Sequence, residues 1–83
     1  MIQRLFSIRD VKVEAFFPPL VQQNAIQAQR TFLDLLKDER LEFHKHPEDY
    51  ILYEVGAFNT ETGEVTGVMA KVVLVGSEVK DAA

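Results

Sequence analysis

His44, His46, Glu48 and Asp49 form the only cluster of metal-ligand types in the chain. In an extended segment, His44 and His46 project to the same side, which is the arrangement a shared cation needs. Pro47 interrupts that register and no third ligand stands at matching spacing, so neither a metal nor any other cofactor is expected. Glu48 and Asp49 are the types for general acid–base work, but neighbours on an extended chain point apart. They suit turn or cap chemistry better, bonding exposed backbone N–H groups. The chain has no glycine-rich phosphate loop, no nucleophile–base pair and no cysteine, so enzymatic activity is not expected.

Nucleic-acid contact is the remaining chemistry. Arg4, Arg9, Lys12 and Arg30 supply cations for phosphates, and Phe16, Phe17, Tyr50 and Tyr53 supply faces on which bases stack. The phenylalanines are better explained as core or proline-packing residues, which leaves Arg4, Arg9, Lys12, Arg30, Tyr50 and Tyr53 as the candidate nucleic-acid surface. Tyr50 and Tyr53 fall on opposite faces of a strand, so at most one of them joins a sheet-surface platform. Arg30 also stands four residues before Asp34, the spacing of a helix-surface ion pair. Arg9 and Asp10 can pair locally or fix the turn after the first strand.

These residues need elements to hold them. Alternation through Ile2, Arg4, Phe6 and Ile8 predicts a strand over 2–9. A two-residue period continues to Phe17, where Pro18-Pro19 ends regular pairing, giving an extended crossing or a short edge strand. Asn24 followed by Gln27 reads as a helix N-cap with its reciprocal partner, and a helix over 25–37 is expected. Ala25, Ala28, Phe32, Leu35 and Leu36 share one stripe of that helix, with Ile26 and Leu33 on its flank. That arc is wide enough either to wrap deeper into its own core or to meet a second subunit.

Ile51, Tyr53 and Val55 predict a further strand, with Gly56 at a bulge or a close backbone approach. Asn59 to Gly63 has hairpin-loop chemistry, with Gly63 free to take a positive φ. The apolar run Val68 to Val75, broken only by Lys71, suits a strand covered on both faces or one at a subunit interface. The fold class is therefore α+β: a three- or four-stranded, mostly antiparallel sheet with one amphipathic helix on one face. Residues 1–76 are expected to form one domain and residues 77–83 a flexible tail.

With 83 residues the chain buries only about 60–65% of its unfolded surface, and without cysteine it has no disulfide or thiolate site to add stability. A homodimer is the economical closure of the open sheet face, with Val68, Val72, Val73, Leu74 and Val75 as the candidate interface. Residues 1–37 hold five Lys/Arg against three Asp/Glu, and residues 38–83 hold four against ten. That balance disfavours coating nucleic acid by charge alone. No stretch approaches the ~18 apolar residues of a membrane span, and no signal-peptide core opens the chain, so a cytoplasmic protein with no membrane partner is expected.

His46-Pro47-Glu48-Asp49-Tyr50, running through Ile51 to Asn59 and closing at Thr62-Gly63, occurs in the same order as Ser7-Ile8-Arg9-Asp10, Lys12, Glu14, Phe16-Phe17-Pro18-Pro19 and Ala28 to Phe32 upstream. This collinear set, over about residues 4–66, resembles the small nonstructural protein of gokushovirus-type microviruses, bacteriophages with a circular single-stranded DNA genome. The resemblance implies a non-virion protein that supports viral DNA replication or DNA packaging in the host bacterial cytoplasm. Partners implied by it are phage or host replication and packaging proteins, or the DNA itself. Asn59 stands where an acidic turn residue is expected, and Pro18-Pro19 doubles a position where one proline suffices.

Two functions follow as expectations. One is a dimeric adaptor that binds replication or packaging proteins, in keeping with the acidic balance. The other is a weak single-stranded DNA-binding protein using the basic N-terminal half. A third, a metal- or small-molecule-binding module of a bacterial host, would draw on His44 and His46.

Overall fold

The computed structural model describes residues 1–79. Its elements are strand β1 (Ile2–Asp10), two short strands β2 (Ala15–Phe16) and β3 (Leu20–Gln22), helix α1 (Ala25–Lys37), a single-turn helix α2 (Glu42–Lys45), and the long hairpin β4 (Tyr50–Asn59) and β5 (Val65–Val75). Turns of 3-10 helix at Pro47–Asp49 and Gly76–Glu78 bracket the hairpin base. All pairings are antiparallel, and β1 lies between β4 on one side and β2 and β3 on the other, with β5 outermost beyond β4. The fold is α+β with one main helix on the sheet, as the pattern predicts. The sheet has five strands because the crossing segment splits into two that share one edge of β1.

Pro18-Pro19 causes that split, since proline has no N–H for the ladder. The gap is bridged locally: the Phe17 N–H donates to the Ile8 carbonyl at 2.8 Å, and the Ser7 hydroxyl donates to the Phe17 carbonyl at 2.6 Å. Ser7 is the buried polar residue beside this core, and its bond makes that burial tolerable. Asp10 fixes the turn into β2, its Oδ1 accepting from the Lys12 N–H at 2.9 Å, so the turn-fixing role is the one observed.

Helix α1 starts where the sequence places it. Asn24 Oδ1 accepts from the Gln27 N–H at 2.9 Å, while Gln27 Oε1 reaches the Gln23 N–H rather than that of Asn24. Ala28, Phe32 and Leu36 are buried against Phe6, Ile8, Tyr50 and Leu52 of the sheet. Removing such side chains from water contributes roughly 1.5–3 kcal/mol each for the large ones. Ile26, on the flank of the stripe, stays exposed, so the arc does not wrap fully into this core.

The segment after α1 is not the extended loop that would align His44 with His46. Residues Glu42–Lys45 are helical, and His44 turns back so that its Nδ1–H donates to the Leu36 carbonyl at 2.9 Å. Leu36 O is one of the carbonyls that the end of α1 leaves open, and His44 satisfies it. The two histidines therefore do not converge.

In the hairpin, Gly56 sits at a register shift against both neighbours. A Cβ there would lie 2.6 Å from the Thr66 carbonyl oxygen, so the close approach expected at this glycine is present. In the loop, Gly63 takes φ 78° and its N–H donates to the Asn59 carbonyl at 2.8 Å. Asn59 Oδ1 accepts from the Glu61 and Thr62 N–H groups at 2.8 and 3.2 Å.

A helix of 13 residues is about 20 Å long, whereas a strand of 11 residues runs to about 36 Å. The far half of the hairpin therefore extends past the helix as an arm, giving a molecule of 40 × 23 × 20 Å. Every residue of β5 from Val65 to Val72 is exposed. Of the segment 77–83 expected as a tail, Ser77 and Glu78 belong to the Gly76–Glu78 turn, and Val79 packs against the core. Residues 80–83 of that segment lie outside the described residues.

Candidate nucleic-acid interface

Residues directly opposite one another on paired strands share a face of the sheet. Phe6, Ile8 and Asp10 of β1 pair with Glu54, Leu52 and Tyr50 of β4, and this is the helix-covered face. Ser7 pairs with Tyr53, and Arg9 with both Ile51 and Phe16, on the other face. Val72 and Val75 of β5, opposite Tyr53 and Ile51, join that open face, as does Val21 opposite Leu5.

An aromatic cluster stands at its centre. The Phe16 and Tyr53 rings meet edge to face with centroids 5.3 Å apart, and the Arg9 guanidinium lies 5.8 Å from the Phe16 centroid. That distance is within cation–π range. Arg9 makes no ion pair among the described residues. No carboxylate registers on the open side of the strands, because Asp10 and Glu54 both fall on the helix side. The acidic excess of the chain is thus carried by the helix side, the loops and the turns. Exposed rings beside a guanidinium are the groups on which bases can stack and a phosphate can be held.

The other candidates are dispersed. Arg4 lies on the helix side of β1 and pairs with Glu54 at 3.8 Å. Lys12 is exposed in the turn that follows Asp10, at the Arg9 end of β1. Arg30 is on the outer side of α1, where it borders a shallow depression with Leu33, Asp34 and Lys37. Arg30 and Asp34 do not close to ion-pair distance. Tyr50 is a core residue, 7% exposed, its ring 4.6 Å from that of Phe43. Burial, reinforced by the negative charges of Asp10, Glu42 and Asp49, pushes its phenol above the ordinary tyrosine value. Of the two tyrosines, Tyr53 is therefore the one on the open face.

Phe16 belongs to this cluster although the sequence pattern favours a core role. Adjacent residues of an extended chain take opposite sides, and Phe17 is the one that takes the helix side, its ring 5.2 Å from that of Phe43 while still 41% exposed. The signal was the pair itself, which obliges one ring to face outward without saying which.

Among the proposed interface residues, Val73 and Leu74 turn onto the chain's own core, because the register slips between Leu52 and Tyr53. Val68, Val72 and Val75 remain on the outward side. His46, Glu48 and Asp49 place ligand-type atoms within 4.8 Å of one another, with His46 and Glu48 exposed. The Glu48 and Asp49 side chains make none of the backbone bonds expected of them; the Asp49 carbonyl instead accepts from the Val11 N–H at 2.9 Å. No described helix is long and apolar enough to cross a membrane.

Comparison with curated proteins gives no match, and comparison with solved structures gives none either. The family model described as Phage ORF5 protein matches residues 3–80, nearly the whole chain including every strand and the helix, and this protein therefore belongs to that phage family.

Proposed function

We propose that this phage protein is a non-enzymatic accessory factor of a gokushovirus-type microvirus that binds the single-stranded genome through the open face of its sheet. The observation that carries the reading is the convergence of Arg9, Phe16 and Tyr53 on a face with no registered carboxylate. It answers the main objection to DNA contact, the net charge of −4, since neither carboxylate of the strands registers on this face. The protein acts in the cytoplasm of the bacterial host, where single strands are made and packaged.

Fluorescence anisotropy with a labelled single-stranded oligonucleotide, beside a duplex control, tests this. Tyr53→Ala and Phe16→Ala each remove a stacking ring and weaken binding about tenfold. Only Arg9 and Lys12 stand near the cluster, so the slope of log affinity against log salt is shallow, on the order of −1.4 for two single-strand phosphates. Arg30→Ala and Arg4→Ala leave affinity unchanged. Absence of single-strand binding at low salt, or equal loss from Arg30→Ala, would sink the reading.

A second reading, an adaptor for replication or packaging proteins, is favoured by the exposed Val65, Val68 and Met69 on the hairpin arm. Loss of capture of phage or host replication proteins on Val68→Lys, with DNA binding intact, would support it instead.

A further inference from the structure

The two edges of the sheet are built differently. One is β2 and β3, short and interrupted by Pro18-Pro19. The other is β5, 11 residues long, without proline, and with Lys71 as its one charged residue. Its outer backbone groups have no strand partner among the described residues, and its apolar side chains are open, Met69 at 89% and Val65 at 63% exposure. Free edges of this length template the addition of another strand unless proline, charge or a cover blocks them.

Charge identifies what fits. On the helix side of the sheet a row of alternating sign runs across the strands: Arg4 pairs with Glu54 at 3.8 Å, and Glu54 registers opposite Lys71. The row ends at Lys71 on the free edge. Seven residues earlier, just before β5, stands Glu64: strict alternation would put it across the sheet from Lys71, but the register break between Gly67 and Lys71 brings the two onto the same side. Antiparallel pairing of β5 with its own copy, centred between Gly67 and Val68, sets each Glu64 opposite the partner's Lys71, twice over. The row then continues through both chains.

We propose that a second copy of this chain pairs along β5 about a twofold axis, making one continuous sheet of ten strands. Because the opposite edge is interrupted, this pairing uses the long open edge and closes at two copies rather than growing into a fibre. It also puts the two open faces on the same side. The pairing does not rest on DNA binding, and its test involves no DNA.

Sedimentation equilibrium of the full chain reads the outcome. Wild type is expected to approach twice its 9.5 kDa mass at tens of micromolar. Glu64→Lys sets like charges across the axis and weakens association about tenfold or more. The charge swap Glu64→Lys with Lys71→Glu restores it. Circular dichroism of Glu64→Lys is expected to match wild type, which separates lost pairing from lost folding. Monomeric wild type at these concentrations overturns the proposal. So does a doubled mass that Glu64→Lys leaves unchanged, since the copies would then meet elsewhere.

Discussion

The two faces of this sheet are made from the same strands and from similar apolar residues, yet they end in different states. On the helix side Phe6 and Leu52 are 0% and 1% exposed, sealed by Phe32 and Leu36 of α1. On the other side Phe16 and Val72 remain about half exposed. Strand periodicity sorts residues between faces, but a covering element decides which face becomes core. With one 13-residue helix, cover is available for one face and for only part of its length.

The largest expected effect tests that contrast directly. Phe32→Ala removes a fully buried ring from the seam between helix and sheet and costs about 3–5 kcal/mol, most of the stability of a domain this small. Phe16→Ala, on the open face, costs less than about 1 kcal/mol, because only its contacts with Tyr53 and Arg9 are lost. Urea unfolding of the two variants measures both. A loss for Phe16→Ala near that of Phe32→Ala would mean that the open face is covered in solution.

A middle-sized effect sits where the two faces meet the interrupted edge. Ser7→Ala removes the donor to the Phe17 carbonyl, leaving that group unpaired beside Pro18 in a part-buried position. The expected cost is about 1–2 kcal/mol, read as a lowered thermal midpoint. Ser7→Thr keeps the hydroxyl and is expected to recover most of it. If Ser7→Ala is neutral, solvent reaches the Phe17 carbonyl and this edge is looser than its hydrogen bonds indicate.

Much of this arrangement is legible in the sequence where a local rule dominates. Asn24 sets the helix start, Lys37 ends it, and Asn59 to Gly63 makes the hairpin loop because side chain and backbone conformation agree there. Alternation places Tyr50 and Tyr53 on opposite faces, and Tyr53 is the outward one. Tertiary decisions are not legible in that way. Phe16 and Phe17 are equivalent as a sequence, and the path after Pro18-Pro19 selects between them. In β5 the single residue Val73 stands between the partners of the adjacent Leu52 and Tyr53, and this one-residue slip changes the parity at the end of the strand. Val73 and Leu74 therefore turn inward although the apolar run gives no sign of the slip. The short helix at Glu42–Lys45 carries His44 onto the end of α1, a contact that no spacing rule announces.

The smallest expected effect sharpens the contrast through charge. Asp38 caps the end of α1, and its carboxylate accepts from the Arg40 side chain at 2.9 and 2.8 Å and from the Arg40 N–H at 3.0 Å. Those bonds, the side-chain ones foremost, hold its pKa at about 2 against an ordinary 3.8. A carboxyl with a lowered folded-state pKa binds fewer protons folded than unfolded, so its contribution is complete above about pH 4 and declines as the pH falls through 2. The pair is at the surface, where solvent screens it, and the shift in the urea midpoint is expected to be small. Asp38→Asn flattens this acid limb. Tyr53→Ala leaves it unchanged, because no carboxylate of the strands shares the open face with Tyr53. An altered acid limb in Tyr53→Ala would mean that the two faces are electrostatically coupled through the sheet, and the separation between a charged helix side and a carboxylate-free open side would have to be given up.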